Sequence, residues 1–175
     1  MQSANSASHF TPPHVDRFLS ALTWMNQRFK LSVPPIVTMD YLRSLPSGTF
    51  GKAWADYLEI HGLQPFAEGS RRQQLHDGIH VLTGYGTDPI GEVEVQAFLL
   101  GAKFRLVNVI LMAGLLRSIH RQRRYRSLAI NSAAVRSRLN AAYRRGQTAQ
   151  VDPDTWRPED FWHEPLSEVQ KQLGL

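Results

Sequence analysis

A chain of 175 residues is of the size that makes one domain, long enough to bury a core without disulfides or a structural metal. It contains no cysteine, which excludes disulfides, thiol catalysis and thiolate metal sites, so a metal would have to sit on imidazole, carboxylate or water. The formal net charge of +5 conceals an asymmetry, because residues 95–151 hold Lys103 and ten arginines but no Asp or Glu. Such a block suits an anionic partner (a phospholipid surface, an isoprenoid phosphate or nucleic acid) or forms a solvated arginine face.

The apolar spacing is helical almost throughout, with no sustained period-two alternation and no Asn-Gly or Asp-Gly hairpin turn. The expected fold is all-α: a single-domain helical bundle over residues 14–175, with a long central helix hairpin and short C-terminal helices. Residues 1–13 are polar and rich in small side chains and read as a disordered leader, with no export signal. A first helix is expected from His14 to Phe29, where Val15, Phe18, Leu19, Leu22 and Met25 recur at helical spacing before Pro34 and Pro35. A short element follows around Asp40 to Ser44. Thr49 can cap a helix ending near His61, with Gly62 just past its end and Trp54, Tyr57 and Leu58 as its apolar face.

Ser70 and Gln73 have the form of a capping box, which predicts a helix over residues 71–83 stopped by Gly84. After the Gly84–Gly86 turn, Asp88 and Pro89 form an N-cap and first-position pair that launches a helix expected to reach about Leu116. A further helix is expected from about Leu128 to Arg145, ended by Gly146. The tail, with Pro153, Pro158 and Pro165, should be a loop that packs Trp156, Phe161 and Trp162 before a last short helix to Leu173.

His76 and His80 are four apart and so share one helix face, where both imidazoles can point at one ion. Asp77 lies at the edge of that patch, and Glu92, about one turn into the next helix, can face it across the hairpin. Two histidines and two carboxylates suit zinc first, and iron, manganese or magnesium as alternatives. Adjacent helical side chains diverge by about 100°, so Asp77 either ligates after adjustment or orients a histidine or water. Taken alone, a His-x-x-x-His pair is more commonly two core or surface histidines, and Glu92 could be an acid favoured by a helix N-terminus. The joint pattern His-Asp-x-x-His, an interval of eleven residues and then Glu raises the metal reading. The zincin motif has Glu where Asp77 stands here, which argues against a peptidase.

From Leu106 to Leu116 only Asn108 is polar, and Arg117, Arg121, Arg123, Arg124 and Arg126 follow. Apolar then basic is the pattern of a membrane-surface helix, although a buried helix with arginines at its C-terminal dipole reads the same way. The run is about half of what a bilayer span requires. Neither a helix-turn-helix nor an aromatic stacking platform is evident, so nucleic acid is not an expected partner.

The segment from Leu75 to Ala102, beginning LHDGIHVLTGYGTDPIGE, resembles the signature of the fourth Coq family of ubiquinone (coenzyme Q) biosynthesis, with His76, Asp77, His80 and Glu92 at its ligand positions. Upstream, residues 41–64 resemble its Leu-Pro-x-Gly-Thr-x-Gly block, and downstream residues 142–150 and 161–174 resemble its closing elements. The resemblance covers about residues 38–175, while residues 1–33 match little of the pattern. It implies a helical, membrane-peripheral protein that organises a quinone-synthesis complex, binds prenylated lipid intermediates, and is associated with removal of the C1 carboxyl of a polyprenyl hydroxybenzoate. On that reading Asp77 and Glu92 handle protons, and the apolar run accepts an isoprenoid tail. Arg117, Arg121, Arg123 and Arg124 would form a basic mouth for the lipid head group. The protein would sit on the inner face of the cytoplasmic membrane, or on the matrix side of the mitochondrial inner membrane, alongside other quinone-biosynthesis proteins, with a homodimer as one arrangement open to it. The rival reading is a non-catalytic prenyl-lipid scaffold with a structural metal.

Overall fold

The computed structural model describes residues 33–126 and 131–175. The expected leader over residues 1–13 and the expected helix from His14 to Phe29 lie outside the described residues. Within them the fold is all-α, without a strand. Helix α1 spans Met39–Ser44, α2 Phe50–Ile60, α3 Arg71–Gln74, α4 His76–Thr83 and α5 Pro89–Ala102. Helix α6 spans Leu106–Arg126, α7 Ser132–Thr148 and α8 Leu166–Gln172, with a single 3₁₀ turn at Pro158–Asp160. None of these helices is long and apolar enough to cross a membrane.

The boundaries that capping chemistry predicted at Thr49, Gly62, Gly84 and Asp88 are present. Thr49 Oγ1 accepts from the Lys52 amide at 3.3 Å, and Gly62 follows α2 in the left-handed region at φ 63°. The Asp88 carboxylate accepts from the Ile90 and Gly91 amides at 2.9 and 3.3 Å, satisfying two donors that the helix start leaves free. Gly84 ends α4 at φ 74°, a conformation that L side chains adopt only with strain.

Two of the expected helices are divided, and tertiary contacts explain the larger difference. The expected helix over residues 71–83 is divided at Leu75 into α3 and α4. The expected helix from Asp88 to Leu116 breaks at Lys103, which is extended at φ −157° and ψ 115°. There the Arg72 guanidinium donates to the Leu99 and Lys103 carbonyls at 3.0 and 3.2 Å and to Asn108 Oδ1 at 2.7 Å. Asn108 in turn donates to Gln96 Oε1 at 2.8 Å. The carbonyls that a continuing helix would have used are thus taken by a buried cation.

The core is an aromatic knot with aliphatic walls. Phe50 stacks on Trp162 at 5.6 Å and packs against Trp54 and Trp156, so the proline-rich tail is drawn over α2 as its aromatic content predicted. Helix α5 finds its most extensive partner in α7 rather than in α4, which it meets near the connecting turn. The α5–α7 crossing depends on glycine: a Cβ at Gly101 would lie 2.1 Å from the Tyr143 carbonyl oxygen, and one at Gly146 2.1 Å from the Phe98 carbonyl oxygen. Gly146, expected to end its helix, instead lies inside α7 and serves this close approach.

Because the atoms opposed to both glycines are backbone, they cannot turn aside. Gly101→Ala and Gly146→Ala should each destabilise the fold by about 1–3 kcal/mol in a denaturant titration. Wild-type stability in both variants would show that the crossing is looser than described.

Candidate metal centre

Three packing events bring the site together. Trp54 of α2 lies against Gly78, where a Cβ would come 2.5 Å from the indole ring, and so α2 runs alongside α4. The Gly84–Gly86 turn folds back on the first turn of α5, where a Cβ at Gly91 would lie 2.0 Å from the Gly86 carbonyl oxygen. Glu92, the next residue, is thereby directed at α4. The end of α4 is itself held, since Arg145 Nη1 donates to the Thr83 carbonyl at 2.7 Å and Gln170 Nε2 to the Leu82 carbonyl at 2.9 Å.

Glu92 bridges the two imidazoles. Its Oε2 lies 3.3 Å from His76 Nε2, and its Oε1 lies 3.3 Å from His80 Nε2. Donor atoms of His76, His80 and Glu92 all fall within 4.8 Å of one another. The Nδ1 atoms are anchored on the other side of each ring, that of His80 to the Tyr85 carbonyl at 3.0 Å and that of His76 to Asp77 Oδ1 at 3.4 Å. Asp77, expected among the ligands or as the residue that orients one, therefore stands behind His76 and is not among the three converging donors. Its carboxylate is nine-tenths buried, with 9% of the side chain exposed. A carbonyl can only accept, so His80 Nδ1 must carry the hydrogen, which leaves Nε2 as a bare lone pair in the neutral ring.

This Nε2 faces a carboxylate oxygen, is buried, and makes no aligned hydrogen bond among the described residues. An imidazole nitrogen and a carboxylate oxygen opposed at this distance need a proton or a metal ion between them, and imidazoles whose Nδ1 atoms are held by a carbonyl or carboxylate are what a metal site uses. The residues thus fit a divalent ion, with His76 and His80 through Nε2 and Glu92 through its carboxylate. Three protein ligands of this type leave a position open for an exogenous ligand. The centre opens on one side only, since the His80 side chain is 0% exposed whereas His76 and Glu92 are 24% and 28% exposed.

Without the ion the cluster is an ion pair. Burial opposes charge on His76, but hydrogen bonds and charge from Asp77 and Glu92 outweigh it and raise the imidazole to about 9. Burial likewise acts to raise Glu92, yet the two histidines hold it down to about 2. Burial and the charges of Asp77 and Glu92 also push the Tyr57 phenol well above its usual range.

Other expected site residues fall elsewhere. Arg117 and Arg121 are exposed on α6, and the side chains of Arg123 and Arg124 lie outside the described set. The arginine block does not act as one face. Arg138 pairs with the buried Glu94 through two hydrogen bonds, Arg105 pairs with Asp154, and Arg145 lies over the Tyr85 ring at 5.6 Å. Tyr85 and Arg145 carried no sequence signal as supports of the site, because a backbone carbonyl acceptor can come from any residue type.

A raised His76 stabilises the metal-free fold fully below pH 6.5, and this contribution is lost as the pH climbs through about 9. A depressed Glu92 contributes above pH 4.5, and its contribution is lost as the pH falls through about 2. The melting temperature of metal-free protein should therefore decline between pH 6.5 and 9, while zinc affinity rises over the same interval as His76 gives up its proton. A zinc affinity indifferent to pH there would contradict this. Asp77→Asn, which keeps the shape but weakens the hold on His76, should reduce zinc affinity about 10–100-fold in a competition titration.

No protein-family model matches the chain. Among curated proteins it is similar to the mitochondrial ubiquinone biosynthesis protein COQ4 homolog of Bos taurus, 28% identical over 88 residues, 42% of this chain and 33% of that protein. The Xenopus tropicalis protein of the same name is 32% identical over 77 residues, 35% of this chain and 28% of that one. The match thus spans about a third of these relatives' length. A crystal structure of a Nostoc punctiforme protein, whose name proposes a role in ubiquinone biosynthesis, aligns with a TM-score of 0.64 over 93% of this chain and 75% of that one. At 22% identity that likeness is one of fold. Over part of its length the chain is thus similar to Coq4-type ubiquinone biosynthesis proteins, and it shares the fold of the Nostoc punctiforme protein.

Proposed function

We propose that the protein acts in ubiquinone or related prenylquinone biosynthesis by binding a divalent metal, zinc first among candidates, on His76, His80 and Glu92. The observation that carries this reading is the buried His80 Nε2, which makes no aligned hydrogen bond among the described residues and faces a Glu92 oxygen at 3.3 Å. The reaction we assign is loss of the C1 carboxyl from a polyprenyl hydroxybenzoate. The bond from ring to carboxyl breaks, carbon dioxide leaves, and the electron pair stays on the ring carbon until a proton arrives. A cation held at the centre supplies positive charge that lowers the energy of that electron pair.

The chain's own residues divide the remaining work. Tyr85, through its carbonyl, fixes the His80 tautomer, and Asp77 holds the His76 ring in place. Glu92 completes the cluster. Asp77, the carboxylate outside the three converging donors, is the acid left free to manage protons.

Helix α6 suits the isoprenoid tail. Leu106 and Ile110 are 66% and 57% exposed, and Phe104 just before them is 70% exposed, with Arg117 and Arg121 exposed further along. We assign this face to a prenyl tail at a membrane surface, with the arginines at the anionic head group. The same face would allow a second copy or another quinone-biosynthesis protein to bind there, and the matched relatives carry mitochondrial names.

Zinc-loaded protein supplied with a polyprenyl 4-hydroxybenzoate in detergent should release carbon dioxide, and His80→Ala, if folded by circular dichroism, should lose that release by on the order of a hundredfold or more. Wild-type protein that binds the lipid and zinc yet releases nothing would replace the enzyme with a scaffold that presents lipids.

A further inference from the structure

We propose that Tyr57 is a hydrogen-bond donor to the metal centre from its buried, His80 side, its hydroxyl holding an oxygen of whatever occupies the remaining position on the ion. That oxygen would belong to water in the resting protein and to a carboxylate in an aromatic ligand. The proposal rests on the metal reading above.

The geometry begins on α2. Trp54 fills the space that Gly78 leaves empty, and Tyr57, one turn further along, is thereby laid over His80. The two rings are nearly parallel, with centroids 5.6 Å apart and planes at 22°. His61 also meets the Tyr57 ring, edge-on at 4.7 Å. The phenol is thus in contact with both a candidate ligand and a second imidazole.

Its hydroxyl has less than 1 Å² of exposed surface and no hydrogen-bond partner among the described residues. Five buried side-chain atoms among the described residues share that condition, and two of them, Tyr57 OH and His80 Nε2, belong to this one stacked pair. A buried hydroxyl left unpaired is a cost that phenylalanine would avoid while filling the same space. The cost has a reason if both atoms are complementary to one absent group, the ion on Nε2 and its oxygen ligand on the hydroxyl. A phenol is also the right donor, since it carries its proton at neutral pH and can stabilise an anionic oxygen without competing for the ion.

The test compares wild type with Tyr57→Phe, using cobalt(II) as the ion and benzoate as the probe, read from the visible cobalt band. Cobalt affinity should stay within fivefold of wild type. Benzoate affinity of the cobalt protein should fall about tenfold, the loss of one charge-assisted hydrogen bond. The metal-free variant should melt at or above the wild-type temperature, because an unpaired hydroxyl has been removed. The proposal is overturned by benzoate affinity changed less than threefold, by wild-type cobalt protein that ignores benzoate, or by cobalt affinity lost beyond fivefold. A lower melting temperature overturns it as well, since the hydroxyl would then be structural. Wild-type protein that takes up no cobalt refutes the metal reading and this proposal together, whereas uptake with unchanged benzoate binding removes only the proposal.

Discussion

One carboxylate shared between two imidazoles organises this end of the molecule, and its position is a matter of backbone more than of side chains. Glu92 reaches the histidines because Gly91 can touch Gly86, because Gly84 can turn left-handed, and because Asp88 starts α5 immediately after that turn. The histidines meet it with the correct nitrogens because Tyr85, inside the same turn, holds His80 by its Nδ1. The tight connection therefore sets the distance between the helices and also selects the ring nitrogen that faces inward.

Where physics is local, the sequence carried it. The caps at Thr49 and Asp88 and the glycine stops at Gly62 and Gly84 rest on neighbours within a few residues, and helix starts and ends followed from them. The His76, His80 and Glu92 convergence was legible too, since it needs only the helical period and a short turn. What remained hidden depends on partners far along the chain. The end of α5 is set by Arg72, which is 31 residues from the Lys103 carbonyl it captures. Asn108, alone among apolar neighbours, was the one visible sign of that buried network. Gly146 read as a stop because the period alone cannot distinguish a helix end from a helix crossing.

The basic block resolves in the same way. Read as a run of charge it suggested a single anionic partner, but the structure assigns several of its members to internal acids and carbonyls. Arg138 neutralises Glu94, which would otherwise be an uncompensated charge at 5% exposure, and Lys103 and Arg105 gather around Asp152 and Asp154. The cations left for a ligand are fewer than composition implies, and the exposed ones described on α6 follow its apolar residues.

The grip on the last carbonyls of α4 reaches further than its two hydrogen bonds. Arg145 joins Thr83 from 62 residues away while lying over Tyr85, and Gln170 joins Leu82 from 88 residues away. The tail and the penultimate helix thus act as the splint of a turn whose carbonyl orients His80. Damage to either would mimic the loss of a ligand, so a residue's rank in this chemistry follows its bonding path to the histidines rather than its distance along the chain.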